Sequence, residues 1–385
     1  MRTLVSLFSG GGGLDLGLEA AGFETLLASD IDVHSCNSLR ANKEKSAKLG
    51  KPFLRNAHIL QKDVLDLTSD EILSRIGVKV GELDLLAGGP PCQAFSIFGK
   101  RKGREDPRGR LVDHYLRIVA ELQPKSFVFE NVFGLLTIDG GQIFEEIKKK
   151  LARPADGLKY KLSIHRCNAA DYGVPQFRDR VFIIGSRDGY SVPEIPPICS
   201  APAKKSNLLA WRTAADGFKG VAPLGKAGWH NHTGRKHSDR IITRYQSLAF
   251  GERDPKTRIN RLNPERPSYA IIVGSDAGGG KGHVHPFEPR EVTPRESARM
   301  QCFPDWWWFS GTSRHPIRQI GNAVPSLLGY AVGRSIIEDV FCDEPSSWAD
   351  AIRELDQKHL FSKVELNSLE TLSRVDQQGD LLLAI

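Results

Sequence analysis

Near the start of the chain, an apolar strand, a turn with four consecutive glycines and an amphipathic helix follow one another directly. The predicted strand covers residues 4–8, the turn covers residues 9–13, and the helix begins at Leu14. We call residues 9–13 the glycine turn. This order typically opens a nucleotide-binding α/β domain, because the backbone N–H groups of such a turn are free to bind a polar ligand.

The glycine turn does not complete the dinucleotide fingerprint G-x-G-x-x-G. After Gly10 and Gly12, Asp15 takes the place of the third glycine, and its carboxylate would oppose a pyrophosphate. An adenosyl ligand without phosphates fits better. Asp30 and Asp63 end the second and third predicted strands and could bind its ribose and its adenine amino group. Each acid alone is more typical of a turn or cap, but their order after the glycine turn favours a cofactor site.

Residues 82–96 place a single thiol directly after a predicted strand. The apolar strand covers residues 82–87, and Pro90 and Pro91 end regular strand pairing just before Cys92. In open α/β sheets the reactive crevice lies at the carboxyl ends of the strands. Cys92 is therefore better placed for nucleophilic attack than for core packing, the usual situation of a free cysteine.

Two more predicted strands have charged residues at their ends. Residues 126–129 lead into Glu130, while Arg178 and Arg180 precede residues 181–184. A carboxyl group at the end of so apolar a strand would have its acid form favoured, as a proton donor requires. The alternatives are a surface cap for Glu130 and a solvated face for the arginines.

Composition limits the class of protein. With 385 residues the chain can form a catalytic core and one smaller domain, and it has neither a long apolar run nor a signal-peptide layout, so we expect a cytosolic protein without a membrane segment. The six cysteines are scattered, and the histidines near residue 230 lack cysteine or acidic partners at ligand spacing, so no metal site is predicted. Residues 186–290 contain 17 Lys/Arg against 9 Asp/Glu, whereas residues 336–385 contain 4 against 11. The first of these segments is suited to a polyanion.

Taken together, these motifs closely resemble those of the DNA cytosine-5 methyltransferases of the bacterial restriction-modification type. The resembling segments occur in family order between residues 4 and 330. They are the first motif at residues 7–13, the catalytic motif at 89–93, the proton-donor motif at 130–132, the arginine motif at 176–180, the ninth motif at 290–305 and the last at 319–325.

The resemblance implies a reaction and assigns roles to four residues. Cys92 would add to carbon 6 of cytosine, so that carbon 5 can attack the methyl group of S-adenosylmethionine. Glu130 would protonate or hydrogen-bond ring nitrogen 3 and the exocyclic amine, and Arg180 would bind the carbonyl oxygen. Arg178 would support the loop and lower the proton affinity of the thiol. The target cytosine must leave the duplex stack for this chemistry.

The resemblance also implies the contacts to S-adenosylmethionine. Phe8 would stack on adenine, Asp30 would bind ribose, and Asp63 would bind adenine. The remaining expected contacts are Ser9, Gly10, Gly12, Gly13, Ile31, Val64, Pro90, Leu111, Asn322, Ala323 and Val324. Because the last three come from the far end of the chain, a helix over residues 322–335 is expected beside the helix over residues 14–22.

The expected fold is α/β, with a Rossmann-like methyltransferase domain and a smaller inserted target-recognition domain. The catalytic domain would cover residues 1–185 and 289–335, the recognition domain 186–288, and an acidic C-terminal extension 336–385. Residues expected to contact DNA are Gln93, Ser96, Lys100, Arg101, Lys102 and Arg290. Where relatives commonly have Thr in the recognition core, this chain has Ala270, so one hydroxyl contact is missing.

The expected partner is double-stranded DNA, acted on by a monomer in the cytoplasm, associated with the bacterial nucleoid. A cognate restriction endonuclease acting on the same site is a possible further partner. Two other functions remain open from the sequence. One is a transfer-RNA cytosine methyltransferase with the same fold, and the other is a non-catalytic nucleic-acid-binding relative, which would require that Cys92 or Glu130 be disabled.

Overall fold

The computed structural model describes residues 1–91, 110–202, 207–271, 273, 282–312 and 314–370. Its centre is a seven-stranded sheet with strand order β3-β2-β1-β4-β5-β7-β6. The first five of these strands are mutually parallel, whereas β7 runs antiparallel to both β5 and β6. The strands are β1 (Arg2–Leu7), β2 (Phe23–Asp30), β3 (His58–Gln61), β4 (Leu85–Gly88), β5 (Ser126–Val132), β6 (Tyr160–Asn168) and β7 (Asp179–Arg187). The α/β prediction is confirmed, and the strand order reverses between β1 and β4, where such sheets bind ligands.

Helices cover the sheet and continue into the second half of the chain. Two large clusters of buried apolar side chains form the core, one containing Val128 and Phe182 and the other Phe127 and Val181. Since neighbouring residues of a strand face opposite sides, these clusters lie on the two faces of the sheet. The helices are α1 (Gly13–Ala21), α2 (Val33–Lys48), α3 (Ser69–Ile76), α4 (Arg110–Leu122), α5 (Gln142–Ala152), α6 (Ala214–Phe218), α7 (Asp239–Ser247), α8 (Pro294–Met300), α9 (Arg314–Asn322), α10 (Ser326–Ser335), α11 (Trp348–Glu354) and α12 (Lys363–Glu370).

Helices α1 and α10 pack directly against each other, although more than 300 residues separate them in sequence. A Cβ atom added at Gly17 would lie 2.3 Å from the carbonyl oxygen of Ser326, so only glycine permits this approach. The predicted neighbourhood of the two helices is confirmed. The predicted start of the second helix at residue 322 is wrong. Asn322 is the last residue of α9, and α10 begins only at Ser326, after Pro325, which lacks the backbone N–H that a continuous helix needs.

The strand before the predicted nucleophile is shorter than expected. It begins at Leu85 rather than residue 82, because the Asp84 carboxylate accepts hydrogen bonds from the Thr3 backbone N–H at 2.8 Å and from Lys125 Nζ at 2.7 Å. These side-chain contacts replace the first rungs of the ladder with β1, which starts at the pair Leu4 and Leu85.

The segment after β7 is mostly irregular. β7 itself continues to Arg187, two residues past the predicted domain boundary. The segment contains α6, α7 and two strands of two residues each, β8 (Cys199–Ser200) and β9 (Leu209–Ala210). A small apolar cluster that includes Tyr245 and Val284 forms a core of its own.

The described part of the acidic extension packs on the catalytic half. Trp348 of α11 is buried, and its ring centroid lies 4.6 Å from that of Tyr330 on α10. Among the residues that the structure describes, no helix has the length and apolar character needed to cross a membrane.

Candidate active site

Glu130 and Arg180 meet at one edge of the sheet. Glu130 lies near the carboxyl end of β5, and Arg180 lies near the start of the antiparallel β7. Their side chains point to the same face, and Arg180 Nε lies 2.7 Å from Glu130 Oε1. The two side chains are 12 % and 13 % exposed, so the pair is accessible from one side only. A guanidinium beside a carboxyl group can bind both the carbonyl oxygen and the adjacent ring nitrogen of a planar base.

The backbone that leads to Cys92 is fixed beside this pair. Asn131 Nδ2 donates a hydrogen bond of 3.1 Å to the carbonyl oxygen of buried Pro90. A Cβ atom added at Gly89 would lie 2.5 Å from Glu130 Oε2, so a larger residue there would displace the Glu130 carboxylate. Sequence reasoning missed the anchoring role of Asn131, although it quoted the residue within a motif. Cys92, Gln93, Ser96, Lys100, Arg101 and Lys102 lie outside the described residues.

Arg178 is buried and connects the arginine motif to the last motif. Its Nη2 atom donates a hydrogen bond of 2.7 Å to the carbonyl oxygen of Gly321. Burial lowers the pKa of Arg178, and the neighbouring charge of Arg180 lowers it further. The structure therefore places Arg178 beside the end of α9, next to Asn322.

Four expected cofactor residues lie together at the carboxyl ends of β1 and β2. Asp30 Oδ2 accepts a hydrogen bond of 2.8 Å from the Gly10 backbone N–H, and burial raises the pKa of Asp30. Ile31 follows with 64 % of its side chain exposed, a large apolar surface beside a polar turn. Phe8 has a φ of 55°, a left-handed conformation that is costly for a bulky residue and is found mostly at functional sites.

Two hydrogen bonds to the rest of the protein fix the position of the glycine turn. The Ser9 backbone N–H donates to the carbonyl oxygen of Ser29 at 3.1 Å, and fully buried Trp307 donates from Nε1 to the carbonyl oxygen of Gly11 at 3.1 Å. Gly12 precedes α1, and Gly13 is its first residue. Trp307 was not among the predicted site residues, because its contact with the glycine turn becomes visible only in the fold.

The other expected cofactor residues line the same edge. Asp63 follows β3, and its Oδ1 atom accepts a hydrogen bond of 3.0 Å from the Leu65 backbone N–H. Leu111 lies in the first turn of α4. Val64, Ala323 and Val324 are buried, whereas Asn322 is exposed. Their contact with a cofactor stays a prediction.

Asp15 does not face a ligand, contrary to the expectation from the broken fingerprint. It lies in the first turn of α1 with no exposed surface, and neither carboxylate oxygen forms a well-aligned hydrogen bond. Burial raises its pKa to about 6, although the nearby Ser6 hydroxyl opposes this rise. The carboxyl points into the protein, so it does not contact a ligand at the glycine turn.

Arg290, expected to contact DNA, lies in an ion-pair network instead. Its guanidinium contacts the carboxylates of Glu296 at 2.7 Å and Glu288 at 2.8 Å. Burial lowers the pKa of Arg290, but the hydrogen bonds to these two carboxylates raise it by more. The donors of Arg290 are thus used within the protein, in support of the capping box that Thr293 and Glu296 form at the start of α8.

The histidines near residue 230 have structural contacts. His232 is buried, with Nδ1 at 2.9 Å from Thr293 Oγ1 and Nε2 at 2.8 Å from the carbonyl oxygen of Ala222. Across the described ranges, no group of three or more His, Cys, Asp and Glu side chains is arranged to hold a metal ion.

Comparisons with known proteins agree on one family. A family model described as "C-5 cytosine-specific DNA methylase" matches residues 2–338. The chain is 33% identical to the type II methyltransferase M.XorII of Xanthomonas oryzae, over 87% of this chain and 84% of that protein. It is 32% identical to the type II methyltransferase M1.HphI of Haemophilus parahaemolyticus, over 87% of each.

Solved structures show the same fold. A crystal structure of an E. coli DNA modification methyltransferase encoded within a prophage superposes with a TM-score of 0.70 at 28% identity, covering 88% of this chain and 99% of that one. The Dnmt2 methyltransferase of S. pombe superposes with a TM-score of 0.56 at 16% identity, covering 87% and 98%. The second likeness concerns the fold alone.

Proposed function

The chain belongs to the C-5 cytosine-specific DNA methylase family, and on this premise we propose that it methylates carbon 5 of a cytosine in duplex DNA, with Cys92 as nucleophile and S-adenosylmethionine as methyl donor. The observation that carries this proposal is the Glu130–Arg180 pair beside the anchored backbone of Pro90. This arrangement places two groups that can bind a cytosine ring, Glu130 and Arg180, at the same edge of the sheet as the backbone that leads to the Cys92 thiol.

We assign a separate step of the reaction to each of three residues. The Cys92 thiolate adds to carbon 6, and the electron pair released from the ring double bond activates carbon 5. Glu130 donates a proton or a hydrogen bond to ring nitrogen 3, and Arg180 binds the carbonyl oxygen, so both stabilise the charge that the addition creates. When bound, S-adenosylmethionine supplies the electrophilic methyl group that carbon 5 accepts. Loss of the carbon 5 proton to a base then allows Cys92 to leave as thiolate.

The residues near the glycine turn fit an adenosyl ligand. The carboxylate of Asp30 can accept hydrogen bonds from ribose hydroxyls, and its position beside Gly10 places those hydroxyls next to the turn. Exposed Ile31 and strained Phe8 offer apolar surfaces to adenine. Asp63, Leu111 and the turn at residues 322–324 complete the proposed site.

We assign residues 186–288 to target recognition and residues 1–185 and 289–335 to catalysis. The positive balance of the inserted segment suits the DNA backbone. Lys100, Arg101 and Lys102 remain proposed phosphate contacts because they follow Cys92 closely, together with Gln93 and Ser96. Arg290 is left out of this set, since Glu288 and Glu296 use its donors.

The biological role that we propose is that of a type II modification enzyme, as the names of its relatives M.XorII and M1.HphI suggest. It would act as a monomer in the bacterial cytoplasm, at the nucleoid, and protect sites that a partner endonuclease cleaves. The match to a DNA methylase family favours DNA over transfer RNA as the substrate. It equally favours catalysis over simple binding.

Bisulfite sequencing tests the proposal. A plasmid is isolated from cells that express the chain, with Cys92→Ala as the matched control. We expect cytosines in one short sequence context to resist conversion with the natural chain and to convert with the control. Complete conversion in both samples, with soluble protein in each, would reject DNA methylation and direct the search to RNA.

A further inference from the structure

Two apolar side chains stand in solvent immediately after the proposed catalytic carboxyl group. Val132 ends β5 and is 43% exposed, and Phe133 follows with 41% of its surface exposed. The residues before them on β5, from Ser126 to Phe129, are buried. Single exposed apolar residues are common on protein surfaces, so the role of these two depends on the groups beside them.

A guanidinium on the edge strand contacts this ring. The Cζ atom of Arg166, on β6, lies 5.3 Å from the ring centroid of Phe133. Arg166 and Asn131 both pair with Val181, from opposite sides of β7. Since adjacent strands are about 4.8 Å apart, Arg166 lies about 10 Å from Asn131 across the sheet. The ring and the guanidinium therefore lie at the same end of the sheet as Glu130, although the alternation of side chains puts Arg166 on the face opposite to Glu130 and Arg180.

The charge of Arg166 is not balanced within the described part of the chain. No carboxylate there comes within ion-pair distance of it, whereas Arg180 pairs with Glu130. An exposed guanidinium is well suited to a phosphate, because its donors form a planar fork. A ring next to it can pack against a sugar or a base.

We propose that Phe133 and Arg166 bind the DNA strand next to the extruded cytosine. Arg166 contacts a backbone phosphate, and Phe133, together with Val132, packs against the adjacent nucleotide. This inference rests on the proposed function, because it takes duplex DNA as the ligand. DNA is favoured over a protein partner, since Phe133 follows Glu130 by only three residues and the guanidinium beside its ring suits a phosphate.

The test measures binding of a duplex that carries the methylated site, at a series of salt concentrations. Arg166→Gln should reduce the slope of log Kd against log salt by about one, as expected for one lost phosphate contact. Phe133→Ala should weaken binding about fivefold or more at every salt concentration and leave the slope unchanged, because stacking carries no charge. Ile164→Ala is the matched control, since Ile164 is 39% exposed on the same side of β6 but one residue pair farther from the edge.

Binding of S-adenosylmethionine shows that each variant is folded, and Phe133→Leu replaces the alanine variant if that protein fails this check. The natural chain must methylate DNA for this test to apply. If the Phe133 and Arg166 variants then both bind DNA with the affinity and salt slope of the natural chain, the inference is overturned. Equal weakening by Ile164→Ala would also overturn it, because the effect would then not be local. A natural chain that neither binds nor methylates duplex DNA would reject the proposed function, and this inference with it.

Discussion

The buried carboxyl of Asp15 should make the stability of the protein depend on pH in a defined direction. Asp15 has no exposed surface, and burial raises its pKa from 3.8 to about 6. Between these two values the folded state holds a proton that the unfolded state has released. The stability that this proton contributes is complete below pH 3.8 and is lost as the pH rises through about 6.

Replacing Asp15 with Asn removes this dependence, because an amide does not titrate. A pKa difference of this size corresponds to about 3 kcal/mol of free energy of unfolding once the carboxyl is ionised in both states. About half of that loss, roughly 1–2 kcal/mol, falls between pH 5 and pH 8. The difference in unfolding free energy between Asp15→Asn and the natural chain should therefore increase by about this amount from pH 5 to pH 8, in favour of the variant.

Urea unfolding of both proteins at pH 5 and pH 8 measures this difference. Taking the difference between two chains cancels the titration of all other groups that the substitution leaves unchanged. Asp188→Asn, at an exposed carboxyl after β7, is the matched control for the chemical change from carboxyl to amide. An Asp15→Asn difference that does not change with pH would refute the reasoning, as would one that decreases.

Three further substitutions test the site and the fold. Asp30→Asn should raise the Kd of S-adenosylmethionine about tenfold or more, measured by calorimetry, without changing DNA binding in its absence; an unchanged Kd would remove Asp30 from the cofactor site. Asn131→Ala should lower kcat about tenfold at unchanged cofactor affinity, because the Pro90 carbonyl loses its donor, and a natural kcat would contradict the anchoring role. Gly17→Ala should lower the free energy of unfolding by about 1–3 kcal/mol through overpacking against Ser326, whereas natural stability would show that α1 and α10 can separate at little cost.

The sequence was sufficient to predict the position of a residue in the fold where a motif lies at the end of a predicted strand. The glycine turn, Asp30, Glu130 and Arg180 all lie at the edge of the sheet that strand periodicity predicts. This succeeded because parallel strands place their carboxyl ends together, so that one-dimensional order determines which residues share an edge. The antiparallel β7 brings Arg180 to that edge from the other direction.

The sequence was insufficient to predict the contacts of a side chain whose partner is distant along the chain. Arg290 was assigned to DNA because nothing in the sequence shows that Glu296 accepts its hydrogen bonds within the fold. The orientation of Asp15 was wrong for the same reason, since its position in a fingerprint does not reveal which way a helix turns its side chain. The contact of Asn131 with Pro90 joins two strands and has no local pattern.

The packing of α1 against α10 has a consequence for the synthesis of the protein. The ribosome completes α1 when it reaches Ala21, but α10 ends only at Ser335. At about 5–20 residues per second, on the order of half a minute passes between these events. During that time the glycines of α1 have no partner, and the nascent chain must keep this surface from other contacts. The proposed cofactor site is therefore among the last parts of the protein to form, and we expect a chain that terminates before residue 322 to lack part of it.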